Sequence, residues 1–296
     1  MRKDGSAMRE EIRLVPLGEV EVYLEDVGAL DAPALAIVHG GPGGSSYVFR
    51  EMLGEELADY RVLYIDQRGS GRSPALPPDP RLFTVDALVE DLDALRDALG
   101  LERWALLAHG FGAVPALEYA RRFPAFVRGV VLVGPWVHYP WLAKRLWRAS
   151  RALQDQPVEG APEDPQAALE EAFAELEPKA VFDALMFPSD HGRAQYEWVV
   201  EGSGLMPGAH VGEMFVVNGL WALDYTPYLM DLSLAPHVIV GEKDGTSYPE
   251  QAEAVVDLAG GTLEVIPGAG HYPWIDAPEV FVRALYAALD AVLEEE

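Results

Sequence analysis

Four short segments carry residue types whose spacing suits acyl-transfer chemistry, and one of them lacks its attacking group. Ala108-His109-Gly110-Phe111-Gly112 has the frame of the G-x-S-x-G nucleophile elbow, a sharp strand-to-helix turn that holds a serine hydroxyl out over a sheet. Its central residue is Gly110, which has no side chain to attack with. Phe111, the next residue, would offer a backbone N–H to an oxyanion. His39-Gly40-Gly41-Pro42-Gly43 would offer a second, Gly41 N–H, because successive glycines let amides turn toward one point. Asp244 in Gly241-Glu242-Lys243-Asp244 and His271 in Gly268-Ala269-Gly270-His271 complete the set. A carboxylate beside a histidine fixes the imidazole tautomer and supports the imidazolium, and the imidazole takes a proton. Elbow, acid and histidine also follow one another in the chain order that elbow-type triads use.

The elements that must position these residues are legible in the apolar pattern. Residues 12–17 and 19–25 alternate as a half-buried antiparallel hairpin does. Continuous apolar runs at 34–38, 61–65, 104–108, 127–133, 237–240 and 262–266 predict buried strands. Helical rhythm predicts helices at 85–99, 111–123, 249–258 and 278–293. Alternating strands and helices make an α/β fold, a mostly parallel sheet covered on both faces. Residues 135–230 differ in texture. They are rich in Trp, Tyr and Met, with helical rhythm, no clear strand, and an exposed acidic Pro/Gly/Gln stretch from Gln154 to Gln166. They predict a helical cap after the sixth strand, leaving 1–134 and 231–296 as the core. Ligands bind at the carboxyl ends of strands in such sheets, beneath such a cap.

Composition excludes several roles. The 296 residues carry a formal net charge of −26, the reverse of the basic footprint that nucleic acid requires. An acidic membrane surface would repel the chain, and no apolar run is long enough to span a bilayer. There is no cysteine, so disulfides and thiolate metal sites are excluded; neither a metal nor a cofactor is expected. The start leads into charged residues rather than an apolar signal segment, which predicts a cytoplasmic location. Asn218 is the sole asparagine and basic residues are nearly all arginine. Heat adaptation and a GC-rich genome both give that bias. Oligomeric state is not legible.

His39-Gly-Gly-Pro-Gly43 together with Asp66-Gln-Arg-Gly-Ser-Gly-Arg-Ser73 resembles the prolyl iminopeptidase family of α/β-hydrolases, and the likeness extends over nearly the whole chain. The resemblance implies an α/β-hydrolase fold and release of an N-terminal proline from small peptides by a Ser-His-Asp triad. By motif the acid is Asp244, the histidine His271 and the oxyanion hole Gly41 with Phe111. The family's cap supplies acidic residues for the substrate amine and aromatic residues around the proline ring. Here Trp198-Val-Val-Glu201-Gly202 resembles the segment that ends in the amine-binding glutamate, so Glu201 is nominated first, ahead of Glu213 and Glu197. Trp198, Trp221, Tyr225 and Trp136 are nominated to line the pocket or to pack cap against core. The loop Asp66–Ser73 is expected to act as a structural brace, with pairing of Arg68 to carboxylates beneath the site as the alternative.

The departure is Gly110, on which the family's nucleophile falls. It admits three readings: a substituted serine in an otherwise active peptidase, a non-catalytic ligand-binding or sensing relative, and a site in which His271 and Asp244 activate water directly. Losing the serine of such a triad costs roughly 10⁶ in turnover, about 8 kcal/mol of barrier. The hole and binding alone retain about 10³–10⁴ over water. Peptidase activity is therefore expected to be weak or absent. Neither Ser45 nor Ser46, which follow the glycine loop, sits on an elbow.

Overall fold

The computed structural model describes residues 9–205, 208 and 210–293. Eight strands form one sheet in the order β1-β2-β4-β3-β5-β6-β7-β8. β1 (Arg9–Leu17) and β2 (Val20–Gly28) are the alternating hairpin, and β2 continues antiparallel onto β4 (Arg61–Asp66). Every further pairing is parallel, through β3 (Ala34–Val38), β5 (Trp104–His109), β6 (Val127–Val133), β7 (His237–Gly241) and β8 (Thr262–Ile266).

The helices, in chain order, are α1 (Tyr47–Leu53), α2 (Val85–Ala98), α3 (Ala113–Arg122), α4 (Tyr139–Leu153), α5 (Pro165–Ala172), α6 (Pro178–Met186), α7 (Asp190–Gly202), α8 (Val211–Val217), α9 (Pro249–Ala259), α10 (Pro273–Asp276) and α11 (Pro278–Leu293). Two cores result from the period-2 geometry of the central strands. Ala36, Val38, Leu106 and Ala108 point to one face, against Leu88, Leu92, Val114, Leu117 and Val255 of α2, α3 and α9. Leu35, Ile37, Ala105 and Leu107 point to the other, against Phe49 of α1 and Phe281, Leu285 and Leu289 of α11. With both faces covered, the central strands β3, β5 and β6 are almost wholly apolar, which is why their runs are continuous. Helices α1 and α10 lie outside the sequence expectation; seven and four residues are too few to display a 3.6-residue rhythm.

Between β6 and β7 the chain forms α4 to α8. Asp164 and Ser189 accept hydrogen bonds from Ala167 N and Gly192 N and so cap α5 and α7. The stretch between α4 and α5 is largely exposed, as its composition predicts. The two ends of the insertion are tied together: Tyr139 N donates to Leu223 O and Tyr225 N to Val137 O. The insertion also grips the loops at the strand ends, through Gly245 N to Leu185 O (2.8 Å) and His271 N to Met186 O (2.9 Å).

Candidate active site

The elbow forms where the sequence places it. β5 ends at His109, a single 3₁₀ turn covers Gly110–Gly112, and α3 follows. Gly110 has φ +54°, a conformation open to glycine and strained for other residues. Its carbonyl accepts from Trp136 N at 3.0 Å. A Cβ built on Gly110 would lie 3.3 Å from His271 Nε2, so the missing side chain would point at the imidazole. Phe111 buries its ring edge-on against Phe215 and leaves its amide in the first turn, where no intrahelical carbonyl is available.

Asp244 and His271 come from the loops after β7 and β8 and are both buried. His271 Nδ1 donates to Asp244 Oδ2 at 2.8 Å. Asp244 Oδ1 accepts from Thr246 N (2.8 Å), Thr246 Oγ1 (2.7 Å) and Ser247 N (3.0 Å). Burial pushes the Asp244 carboxyl up, but His271 and these donors outweigh it and hold the pKa below the ordinary value. The Nδ1 bond leaves Nε2 facing Gly110. Above the imidazole lies Trp136, stacked at 5.2 Å and 19°.

Three features here carry no motif, and only the packing around His271 discloses them. Gly134, at the end of β6, has φ +52°, and a Cβ there would come within 2.9 Å of His271 Nδ1 and 3.1 Å of Asp244 Oδ2. Thr246 completes the Asp244 cradle. His109, whose ring packs beneath the turn, does more than fill space. Its Nε2–H donates to His271 O at 3.0 Å, and its ring lies 4.3 Å from that of His271. Burial, reinforced by His271, pushes the His109 pKa down to about 3, so the ring is neutral.

The glycine loop after β3 is braced rather than free. Gln67 N donates to His39 Nε2 (2.9 Å), and Gln67 Nε2 donates to His39 O (2.9 Å). Asp66 accepts from Ser46 N and Ser46 Oγ (both 2.7 Å), from Arg72 N (2.8 Å) and from Arg72 Nε (2.7 Å). Arg72 also pairs with Glu25 and lies over the Tyr23 ring. Arg68 forks onto Asp91, with both contacts at 2.6 Å. The Asp66–Ser73 motif is thus a brace that sets the height of the glycine loop above the sheet.

Gly110, Gly41, His109, His271 and Trp136 line one cavity of about 350 Å³. Its remaining walls include Val48, Phe49, Phe182, Met186, Tyr196, Val200, Tyr272 and Trp274. Of the cap residues nominated from the sequence, Trp136 lines the cavity and the others are placed elsewhere. On α7 the inward stripe is Tyr196, Val200 and Ser203, one helical turn apart. Trp198 and Glu201 fall off that stripe, so Trp198 is 77% exposed and Glu201 is exposed. Glu213 is exposed on α8, and Glu197 pairs with Lys179. Trp221 packs edge-on against Tyr139, and the buried Tyr225 donates to Glu118 at 2.9 Å. Tyr225 joins insertion to core, Trp221 packs within the insertion, and neither lines the cavity. Ser45 lines the cavity, with its Oγ accepting from Tyr47 N at 3.4 Å. Among the described residues no group of three His, Asp or Glu side chains is placed to hold a metal ion, and no helix is long and apolar enough to cross a membrane.

A sheet of strand order 1-2-4-3-5-6-7-8 with its elbow, acid and histidine at the parallel strand ends defines the class, and residues 33–278 match the model of the alpha/beta hydrolase fold family, to which the chain belongs. Within it, the chain is 54% identical to the proline iminopeptidase-related protein from Thermus thermophilus, whose crystal structure superposes with a TM-score of 0.91 over 97% of this chain and 99% of that one. It is 27% identical to the proline iminopeptidase of Lactobacillus delbrueckii subsp. bulgaricus, covering 89% of this chain and 92% of the relative. The proline iminopeptidase of Mycobacterium smegmatis shares the fold at a TM-score of 0.71, with 23% identity over 95% of this chain and 98% of that one.

Proposed function

We propose that this chain is a proline iminopeptidase-type hydrolase relative without covalent peptidase activity, and that its cavity serves a small molecule or small peptide. The observation that carries this reading is Gly110. The acid–histidine pair, the glycine loop and the elbow are in register, and the missing group is the hydroxyl that would lie against His271 Nε2. Without it no acyl-enzyme forms, and proline release falls to a negligible rate. His271, oriented by Asp244, remains able to take a proton from water, so slow turnover of activated esters is expected.

A second reading, a binding or sensing protein on the same scaffold, draws support from the cavity walls. The glutamates nominated for a substrate amine, Glu201, Glu213 and Glu197, do not line the cavity. A buried ammonium needs such a partner, so recognition of a free N-terminal amine loses its physical basis. The two readings make different demands on one test. The wild-type protein is exposed to a fluorophosphonate probe, a proline arylamide and an activated ester. No labelling and no arylamide cleavage are expected under either, and ester turnover abolished by His271→Ala separates the first from the second. Stoichiometric labelling of a cavity serine would overturn both.

A further inference from the structure

We propose that the cavity binds a small monocarboxylate with an apolar or aromatic body and no amino group, the carboxylate seated between the glycine loop and His271. The inference rests on the reading above, that the site has lost its nucleophile, and it names the ligand class. Three observations carry it.

The first is charge. The chain holds 48 Asp and Glu residues, yet among the described residues that line the cavity none is Asp, Glu, Lys or Arg. An ammonium would find no counter-charge there, and an anion would meet no repulsion from the walls. The second is the polar end. Gly40 to Gly44, Gly110 and His271 converge on one corner, and the space a Cβ would take at Gly110 is left open beside Nε2. In a serine hydrolase the side-chain Cβ and its hydroxyl occupy that space and the hole holds one oxygen. Here the space admits a second oxygen, so the corner fits both oxygens of a carboxylate: one on the loop amides, one on His271. The Asp244 bond to Nδ1 at 2.8 Å and the Trp136 face stacked at 5.2 Å hold the His271 ring with Nε2 turned to that corner. The neutral His109 ring on its other side adds no competing charge.

The third is the aromatic wall. Phe182, Tyr196, Tyr272 and Trp274 form it, with Tyr196 and Tyr272 rings 4.3 Å apart. Burial raises the pKa of both phenols, so they stay protonated and offer neutral polar tips. A volume of about 350 Å³ lies at the small end of the range of roughly 300–1,000 Å³ for ligand pockets. The body is therefore of the size of a phenylpropyl group rather than of a peptide.

Calorimetry with 3-phenylpropanoate, 3-phenylpropanamide and 3-phenylpropan-1-amine, three ligands of one shape, tests this. The acid should bind at least about tenfold more tightly than the amide, the ratio that a charge-assisted hydrogen bond supplies over a neutral one. The amine should bind more weakly than the amide. In His271→Leu the preference for acid over amide should vanish while amide binding persists. Gly110→Ala, which fills the second oxygen's space without touching the imidazole's partners, should weaken the acid more than the amide and keeps the test decisive if His271→Leu does not fold. Amine binding equal to that of the acid, no measurable binding of the acid, or an acid preference that survives the substitutions would overturn the inference. Fluorophosphonate labelling of the wild type would overturn the functional reading instead and leave the three binding ratios standing.

Discussion

Gly110→Ser places a hydroxyl one bond beyond a Cβ that sits 3.3 Å from His271 Nε2. The rotamer turned toward the ring brings Oγ into the hydrogen-bond range of about 2.6–3.2 Å that a general base requires. His271 is already oriented by Asp244, and the elbow and glycine loop are already in place. The cost is conformational: a non-glycine residue at φ +54° loses about 1–2 kcal/mol, which should lower Tm by a few °C in a chain of this size. The gain is catalytic. A triad serine contributes up to roughly 10⁶ in turnover, and a nucleophile installed in a pocket not adjusted to it should recover at least about 10³ of that, near 4 kcal/mol of barrier. The assay is p-nitrophenyl acetate hydrolysis together with fluorophosphonate labelling, wild type against variant. Adding His271→Ala to Gly110→Ser should abolish the gain. A folded Gly110→Ser protein with neither labelling nor added esterase activity would refute the reasoning, because it would mean that the hole or the imidazole is misplaced.

Gly134→Ala should act through the acid–histidine pair. Its Cβ would press to within 2.9 Å of His271 Nδ1, and in the Gly110→Ser background esterase activity should fall by roughly 10² or more, the scale of a lost general base, with the far-UV circular dichroism unchanged. Asp244→Ala removes the partner of the imidazole and the acceptor of three loop donors. It should cost about 3–5 kcal/mol in urea unfolding, the range for breaking a buried pair. For acid stability, the His109 pKa is pushed down to about 3 in the folded protein, against an ordinary value of about 6.5. Between those values the unfolded chain holds a proton that the folded chain lacks, so stability falls as pH drops through that window. Asp66 and Asp244, whose pKa values the fold holds below the ordinary value, extend the loss at lower pH. His109→Gln should flatten the first part of that curve, as read by unfolding midpoints at pH 7, 5.5 and 4.5. Trp198→Ala and Glu201→Gln should leave stability within about 0.5 kcal/mol and ligand binding unchanged, since both residues lie outside the cavity.

The sheet was legible because its chemistry is redundant. The central parallel strands are buried on both faces and so announce themselves by composition alone, as at Val127–Val133, and the edge strand Thr262–Ile266 also falls where the apolar run predicts although half of it faces solvent. Loop residues at the strand ends were legible for a related reason. Gly41, Gly110, Asp244 and His271 sit in tight turns whose glycines punctuate the sequence. The wall of the cavity was not legible. Which face of α7 turns inward depends on how the helix is docked, and the sequence around Trp198-Val-Val-Glu201 presents apolar residues on more than one side. Docking selects Tyr196, Val200 and Ser203 by setting α7 against α1 and α10, contacts between elements far apart in the chain. Gly134 was hidden for a different reason: its constraint comes from His271, 137 residues away in sequence, whose side chain fills the place of a Cβ.

The presence of Asp244 and His271 beside a glycine at the elbow has a physical cause that is independent of catalysis. Asp244 gathers the backbone of Thr246 and Ser247, and His271 O holds the His109 ring. His271 N and Gly245 N then tie both loops to Met186 and Leu185 of the insertion. Removing Asp244 alone would leave the Thr246 and Ser247 donors unpaired, and removing His271 alone would leave a buried carboxylate without its partner, so each member supports the other in the fold whether or not a reaction uses them. The pair's presence therefore does not by itself argue for turnover. The cavity has no such structural reason. A space of about 350 Å³ walled by aromatic rings keeps apolar surface in contact with water, at about 25 cal/mol for each Å² left uncovered. Leu, Phe or Met side chains on α6 or α7 could fill it without disturbing the sheet. An open, uncharged, aromatic space beside a set of anion-directed groups is thus the feature that folding does not explain, and a ligand is the agent that would recover its cost.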